Sequence, residues 1–136
     1  MRIVVDTNVL VSGLINPYGS PGRVIDELLV GTLVPLHDDR MLAEYRDVLR
    51  RARFGFDRDR VDALLDFLAF VGEPVSGSCL QIALPDAGDL PFLEVAVAGG
   101  ADAIVTGNGR HFIPTTGVHC RPILTPRELL LTLAAR

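Results

Sequence analysis

Short apolar runs recur along this chain and predict the strands of a sheet. Residues 3–5 form a continuous run of β-forming side chains, and residues 33–37 and 103–105 repeat the pattern. Runs of this length are typical of strands buried on both faces. Residues 121–124 predict a last short strand, and residues 75–84 are interpreted as loose strand material.

Between these runs, apolar residues recur at three- and four-residue spacing, which predicts helices. Thr125, Pro126 and Glu128 form a complete helix start, and Ser20 is predicted to cap an earlier one. Alternating strands and helices indicate a three-layer α/β/α domain with a central, mainly parallel sheet, spanning residues 1–136. The predicted helices cover residues 9–15, 20–31, 39–49, 57–72, 90–98 and the C-terminal segment from 125.

Composition agrees with one compact domain and adds an expected location. The chain has 136 residues, of which 49% are hydrophobic, enough for a sizeable core. No apolar run approaches the roughly 20 residues of a membrane span, and the first residues lack a signal-peptide pattern. Cys79 and Cys120 stand far apart and fit no metal-binding spacing, so we expect free thiols in a cytoplasmic protein.

The formal net charge of −4 argues against a passive coat protein on nucleic acid. All positive side chains are Arg, however, and six of them crowd into one short segment. Either this segment is a solvated helix face, or it is a rim that grips phosphate with planar guanidinium groups. The six residues are Arg46, Arg50, Arg51, Arg53, Arg58 and Arg60.

Polar side chains follow the predicted strands at the point where each strand ends. Asp6 follows the first strand, Glu44 lies in the helix after the second, and Asp89 begins a later helix. Thr106 and Asn108 follow another strand. Because ligands of open α/β sheets bind outside the carboxyl ends of the strands, these residues are predicted to share one pocket. Alternatively, Asp6 and Asp89 only cap turns or helices, and Glu44 is an exposed helix carboxylate.

Clustered carboxylates repel one another unless a cation neutralises them. Oxygen ligands of this kind suit Mg²⁺ or Mn²⁺. A metal held by carboxylates can activate water and stabilise the charge of a phosphoryl displacement. The acids therefore predict metal-dependent phosphodiester hydrolysis.

Four blocks in this order resemble the ordered motifs of PIN-domain ribonucleases, over essentially the whole chain. They resemble most closely the small prokaryotic PIN proteins that are described as toxins of toxin–antitoxin pairs. The blocks are residues 5–10 (VDTNVL), a lone Glu44 within a helix, Asp89 followed by residues 92–96 (FLEVA), and residues 102–108 (DAIVTGN).

The resemblance implies Mg²⁺ or Mn²⁺ held by Asp6, Glu44 and Asp89, and cleavage of single-stranded RNA by a metal-activated water. It implies that Asn8 and Thr106 orient substrate or metal ligands. It also implies a cognate antitoxin protein and a homodimer, for which the apolar helix surface of residues 57–70 is the candidate.

One block departs from the family pattern. Members often carry a fourth acid after the Thr-Gly pair, where this chain has Asn108, followed by Arg110 and His111. Asn108 can ligate through its carbonyl oxygen without adding charge, so we expect a second metal to bind weakly or only with substrate. We predict that Asn108 is a catalytic residue and that Arg110 and His111 bind the substrate. Asp86 or Asp102 could compensate in part, although Asp102 is expected to be structural.

Other functions fit the sequence less well. A catalytically weak or inactive PIN-like domain could bind RNA or a protein, although retaining three acids argues against it. Phosphatases of the haloacid-dehalogenase type and receiver domains both need a lysine, and the chain has none. His111, His119 and Cys120 match no standard zinc spacing, so ordinary loop roles are expected for them.

Overall fold

The computed structural model describes residues 1–76, 80, 82–113 and 121–136 of the chain. Five strands of this part form one sheet in the order β3-β2-β1-β4-β5, and every neighbouring pair is parallel. The prediction of a mainly parallel sheet is confirmed. The strands are β1 (Arg2–Val5), β2 (Val34–His37), β3 (Glu73–Pro74), β4 (Ala103–Val105) and β5 (Ile123–Leu124).

Helices accompany the sheet in the predicted three-layer α/β/α arrangement. None of the helices in the described ranges is long and apolar enough to cross a membrane. Short 3-10 turns lie at Ala52–Phe54, Ala87–Asp89 and Gly109–Phe112. The helices are α1 (Thr7–Ile15), α2 (Ser20–Leu29), α3 (Asp39–Leu49), α4 (Arg58–Val71), α5 (Leu90–Gly99) and α6 (Pro126–Ala134).

The central strand β1 fixes the position of the residue that follows it. Ile3 and Val4 are fully buried, because neighbouring strands cover both edges of β1 and helices cover its faces. Val5 lies opposite Val105 of β4, and the Asp6 amide continues the ladder by donating to the Val105 carbonyl at 2.9 Å. Asp6 therefore lies at the carboxyl edge of the sheet, which is the side where the C-terminal ends of the parallel strands meet, beside the residues that follow β4.

Helix α5 packs against β1, β2 and β4 and is buried on nearly every side. It includes a buried acid, Glu94, whose carboxylate accepts hydrogen bonds from Arg40 Nη1 and from the Leu80 amide, both at 2.7 Å. A buried carboxylate is tolerated when it is paired in this way. The Arg40–Glu94 pair thus connects α3, which carries Glu44, with α5, which begins directly after Asp89.

Three local predictions were wrong. Residues 75–84 were predicted as strand material, but the strand is Glu73–Pro74, and within the described part of 75–84 only Ala83 makes a bridge. Pro74 lacks the N–H that a longer ladder needs. Helix α1 begins at Thr7 instead of residue 9, and Gly19 instead of Ser20 occupies the cap of α2. The predictions for Cys79, His119 and Cys120 lie outside the described residues.

Candidate active site

Asp6 occupies the cap position of α1, but its side chain makes no capping hydrogen bond. Its Oδ2 instead accepts a hydrogen bond of 2.7 Å from the hydroxyl of Thr106, which follows β4. Burial raises the pKa of Asp6, the Thr106 hydrogen bond opposes this, and the negative charge of Glu44 adds to it. The turn-capping alternative for Asp6 therefore does not describe this side chain, which points across the sheet edge.

The turn after β4 is held to the start of α1 by two further contacts. The Thr106 hydroxyl, which is fully buried, also accepts a hydrogen bond of 3.0 Å from the Asn108 amide. Asn8 Oδ1 accepts one of 3.3 Å from the Gly107 amide. Thr106 and Asn8 thus position both the acid and the turn.

Glu44 lies within α3, on its half-buried side. Its Oε2 accepts a hydrogen bond of 2.7 Å from the Thr7 hydroxyl, so it is held against the residue next to Asp6. The neighbouring Tyr45 is buried and donates its hydroxyl to the Val5 carbonyl at the end of β1. Glu44 is therefore tied to the sheet edge and is not a free surface carboxylate.

Asp89 occupies the cap position of α5, and its side chain makes no capping hydrogen bond either. Its Oδ2 is buried and has no hydrogen-bond partner among the described residues. The imidazole Nδ1 of His111 lies 3.6 Å from this oxygen. Burial, followed by the charges of Asp6 and Asp86, raises the pKa of Asp89 to about 6, and His111 opposes the rise.

The two additional acids considered from the sequence differ in position. Asp86 Oδ1 accepts a hydrogen bond of 2.8 Å from the Gly88 amide in the turn before Asp89, near enough for its charge to raise the pKa of Asp89. Asp102 precedes β4 and accepts one of 2.8 Å from the Arg2 amide at the start of β1. Asp102 therefore lies at the opposite edge of the sheet from Asp6.

The donor set fits a divalent cation in charge and chemistry. Asp6, Glu44 and Asp89 offer carboxylate oxygens, and a cation would neutralise the repulsion that raises the pKa of Asp89. It would also give the buried Asp89 Oδ2 a partner. Within the described ranges, however, no group of three His, Cys, Asp or Glu side chains stands in metal-binding geometry. Binding an ion would therefore require these side chains to move together.

Residues after the turn form an exposed rim beside the acids. Asn108, Arg110 and His111 are all exposed, and with Gly107 and Gly109 they line a shallow cavity of about 280 Å³. His111 faces Asp89, as its ion-pair distance shows. The rim thus presents one permanent cation, one imidazole and one amide next to the buried carboxylates.

Three of the six crowded arginines pair with acids of α3 or α4. Arg50 contacts Asp62 at 2.6 Å, Arg51 contacts Asp47 at 3.3 Å, and Arg46 lies 3.9 Å from Asp66. Arg53 instead lies over the Phe54 ring, 4.8 Å from its centroid. These contacts favour the interpretation of a solvated helix face, because neutralised guanidinium groups attract phosphate less.

Two residues of the site were missed by sequence reasoning. Thr7 holds Glu44, and Tyr45 braces the end of β1. Both had available signals: Thr7 is adjacent to Asp6, and Tyr45 lies on the apolar stripe of α3 directly after Glu44. Their roles depend on contacts between residues 37 and 40 positions apart, which the periodicity of the chain does not reveal.

Comparison with known proteins adds the family to this geometry. A PIN-domain profile matches residues 2–110, which include every acid discussed above. The chain belongs to the PIN-domain family. The match extends from the first strand to Arg110 of the exposed rim, so it includes all the candidate site residues except His111.

Two similar proteins match nearly the whole chain. MJ1680, an uncharacterized protein of Methanocaldococcus jannaschii, is 24% identical over 140 residues, covering 96% of this chain and 90% of the relative. A chain in the crystal structure of VapBC2 from Rickettsia felis, bound to a DNA fragment from their promoter, is 20% identical. It covers 92% of this chain and 98% of its own, with a TM-score of 0.56, which supports the PIN fold.

Proposed function

We propose that this PIN domain is a Mg²⁺- or Mn²⁺-dependent endoribonuclease that cuts single-stranded RNA. The observation that carries the proposal is the state of Asp89, whose buried Oδ2 lacks a hydrogen-bond partner among the described residues while three neighbouring acids repel its charge. Such an arrangement costs stability in the absence of a ligand. A site that tolerates this cost is suited to bind a cation.

Each residue of the site has a defined part in this proposal. Asp6, Glu44 and Asp89 would hold the cation, and the cation supplies an activated water and positive charge opposite the phosphate. Asp6 is fixed by β1 and by its hydrogen bond from Thr106, so its oxygen is pre-oriented. The hydrogen bond from the Thr7 hydroxyl likewise orients the carboxylate of Glu44.

The exposed rim supports an RNA substrate. Arg110 has no ion pair among the described residues, and its guanidinium can bind phosphate oxygens beside the acids. His111 lies close to Asp89 and can contact the same phosphate. Asn108 offers an amide instead of a fourth acid, so the proposal requires only one tightly bound cation.

A toxin of a toxin–antitoxin pair is the biological role that we infer. The VapBC2 chain with the same fold supports an antitoxin partner for this protein as part of the proposal. A homodimer through the surface of residues 57–70 is also part of it. On α4, Val61, Leu65 and Leu68 are buried in the core, whereas Phe70 is 88% exposed and is available to a partner.

The decisive experiment is a cleavage assay with a matched pair of acid variants. Purified protein should cut single-stranded RNA with Mg²⁺ or Mn²⁺ and stop with a chelator. Asp6→Asn should lower the rate by about a thousandfold or more, because it removes one of the charges that hold the cation. Asp102→Asn, at the opposite sheet edge, should cut at the wild-type rate. Metal-dependent cutting that survives Asp6→Asn would reject the site.

A second candidate function is an RNA- or protein-binding module that does not cut. Asn108 in place of an acid favours it, as does the lack of a preformed three-ligand group among the described residues. A binder should retain RNA in the presence of chelator, and Asp89→Asn should tighten binding by removing a repelling charge. Chelator-sensitive cleavage by wild-type protein would exclude this candidate.

A further inference from the structure

A second, larger cavity of about 400 Å³ opens beside the turn after β4. Its walls come from α1, the start of α2, the turn after β4 and the start of α6. The volume lies within the range of roughly 300–1,000 Å³ that small-ligand pockets occupy. None of the roles assigned above requires this cavity.

The cavity adjoins the smaller cavity at the exposed rim, because Gly107 and Asn108 line both. Asn8 and Asn108 line it, and both are connected to Asp6. Asn8 follows Asp6 by two residues, and the Asn108 amide donates to the Thr106 hydroxyl that binds Asp6. A group bound in the cavity would therefore lie next to any phosphate held at the acids.

Polar side chains on the wall are available to a ligand. The side chains of Ser12, Ser20, Asn108 and Arg127 line the cavity and make no hydrogen bond or ion pair with other residues in the described ranges. Arg127 is exposed near the start of α6. These groups include hydroxyls and an amide, which both donate and accept hydrogen bonds.

The apolar part of the wall narrows the choice of ligand. Val9, Pro21 and Pro126 contribute flat or branched hydrocarbon to the cavity. A phosphate group offers only hydrogen-bond acceptors and gains nothing from contact with an apolar surface. A nucleobase has an apolar face, and its edge carries both donors and acceptors.

We propose that this cavity is a nucleobase subsite, which holds a base adjacent to the cleaved phosphate and sets the sequence preference of cleavage. The inference rests on the proposed ribonuclease function. The Arg127 guanidinium can bind the base edge or stack on its face, and the prolines cover the other side. Ser12 and Ser20 lie where they can discriminate between bases.

Cleavage of an RNA pool with randomised positions tests the subsite. Ser12→Leu fills the cavity from an exposed position of α1, where Leu has the better helix propensity, so the fold should be kept. Arg127→Ala removes the cation of the wall. Arg23→Ala is the matched control, because Arg23 is an exposed cation of α2 that lies near Arg127 but does not line the cavity.

The expected result is a loss of preference without a loss of cutting. Wild-type protein should prefer one base by about tenfold or more at a position flanking the cut. Ser12→Leu and Arg127→Ala should reduce that preference severalfold, and Arg23→Ala should leave it unchanged. Preference that persists in both cavity variants would overturn the subsite.

A binding measurement separates failure of the subsite from failure of the ribonuclease proposal. Adenosine, cytidine, guanosine and uridine are titrated into metal-free wild-type protein, and backbone amide shifts are followed by NMR. Shifts confined to Ser12, Ser20 and Arg127 support the subsite even if no RNA is cut. Cutting without any nucleoside shift, or shifts equal to those at the remote Phe70, would overturn it.

Discussion

The two edges of the central sheet carry acids in opposite electrostatic states. At the amino edge, the Arg2 guanidinium binds Glu73 at 2.7 and 2.9 Å, and this lowers the pKa of Glu73. Asp102 accepts a hydrogen bond from the Arg2 amide. At the carboxyl edge, the pKa of both Asp6 and Asp89 is raised. At the amino edge, hydrogen bonds from Arg2 stabilise the charge of the acids, whereas at the carboxyl edge the charged forms of Asp6 and Asp89 are disfavoured.

Burial alone does not explain this difference. Glu94 is as buried as Asp6, yet it is paired with Arg40 and bound by the Leu80 amide. What distinguishes Asp6, Glu44 and Asp89 at the carboxyl edge is that their charges repel one another and that none of the three has an ion pair with Arg in the described ranges. The paired acids Glu73 and Glu94 thus stabilise the fold, whereas Asp6, Glu44 and Asp89 are the acids that the proposed function assigns to a cation.

After Asp6→Asn, the largest expected effect comes from removing the hydroxyl that orients Asp6. Thr106→Val keeps the buried shape but removes the donor to Asp6 and the acceptor of the Asn108 amide. We expect Mn²⁺ affinity and cleavage to fall by about 10–100-fold. Calorimetric Mn²⁺ titration measures the first, and the RNA assay measures the second.

Thr106→Ser provides the control for this prediction. It restores the hydroxyl and loses only a methyl group, so it should recover most of the Mn²⁺ affinity. If Thr106→Val lowers the melting temperature but leaves Mn²⁺ affinity unchanged, the hydroxyl is structural and the comparison between the two edges loses its main support.

Much of this architecture follows from local sequence pattern. The runs at residues 3–5 and 103–105 are strands because they are short, apolar and bounded by polar residues. The helix start at Thr125 has the predicted capping box. Positions such as Asp6 and Thr106 could be placed on one edge because parallel strands fix where their ends lie.

The hydrogen-bond partners of individual side chains could not be predicted in the same way. The bond between Thr106 and Asp6, and that between Arg2 and Asp102, each join residues 100 positions apart. No periodicity marks such pairs, so the sequence could not show which acid is paired. The short strand at Glu73–Pro74 was missed for a related reason, since its pairing with β2 is the evidence for it.

A smaller effect is expected from the charge on Asp89 in metal-free protein. The pKa of Asp89 is raised from 3.8 to about 6, so the folded state resists its ionisation. Below about pH 4 the group is protonated in both states; from there to about pH 6 folding stability falls as pH rises, and above pH 6 the full cost remains. Asp89→Asn removes this cost.

Urea unfolding with chelator should therefore show Asp89→Asn to be more stable than wild type by about 1–2 kcal/mol at pH 7, and by much less at pH 4. Two pKa units correspond to at most about 3 kcal/mol, and water at the site reduces that figure. Saturating Mn²⁺ should reverse the order, because only wild type retains all three acids. A variant less stable than wild type at pH 7 would contradict the difference between the edges.

The smallest effect should come from the amino edge and have the opposite sign. Asp102→Ala removes the acceptor of the Arg2 amide, so we expect a loss of about 1 kcal/mol in urea unfolding. Mn²⁺ affinity and RNA cleavage should stay at wild-type values, because Asp102 lies at the edge away from the site. Reduced Mn²⁺ affinity in Asp102→Ala would mean that the two edges are coupled through β1 and β4, and the acids could then not be divided by edge.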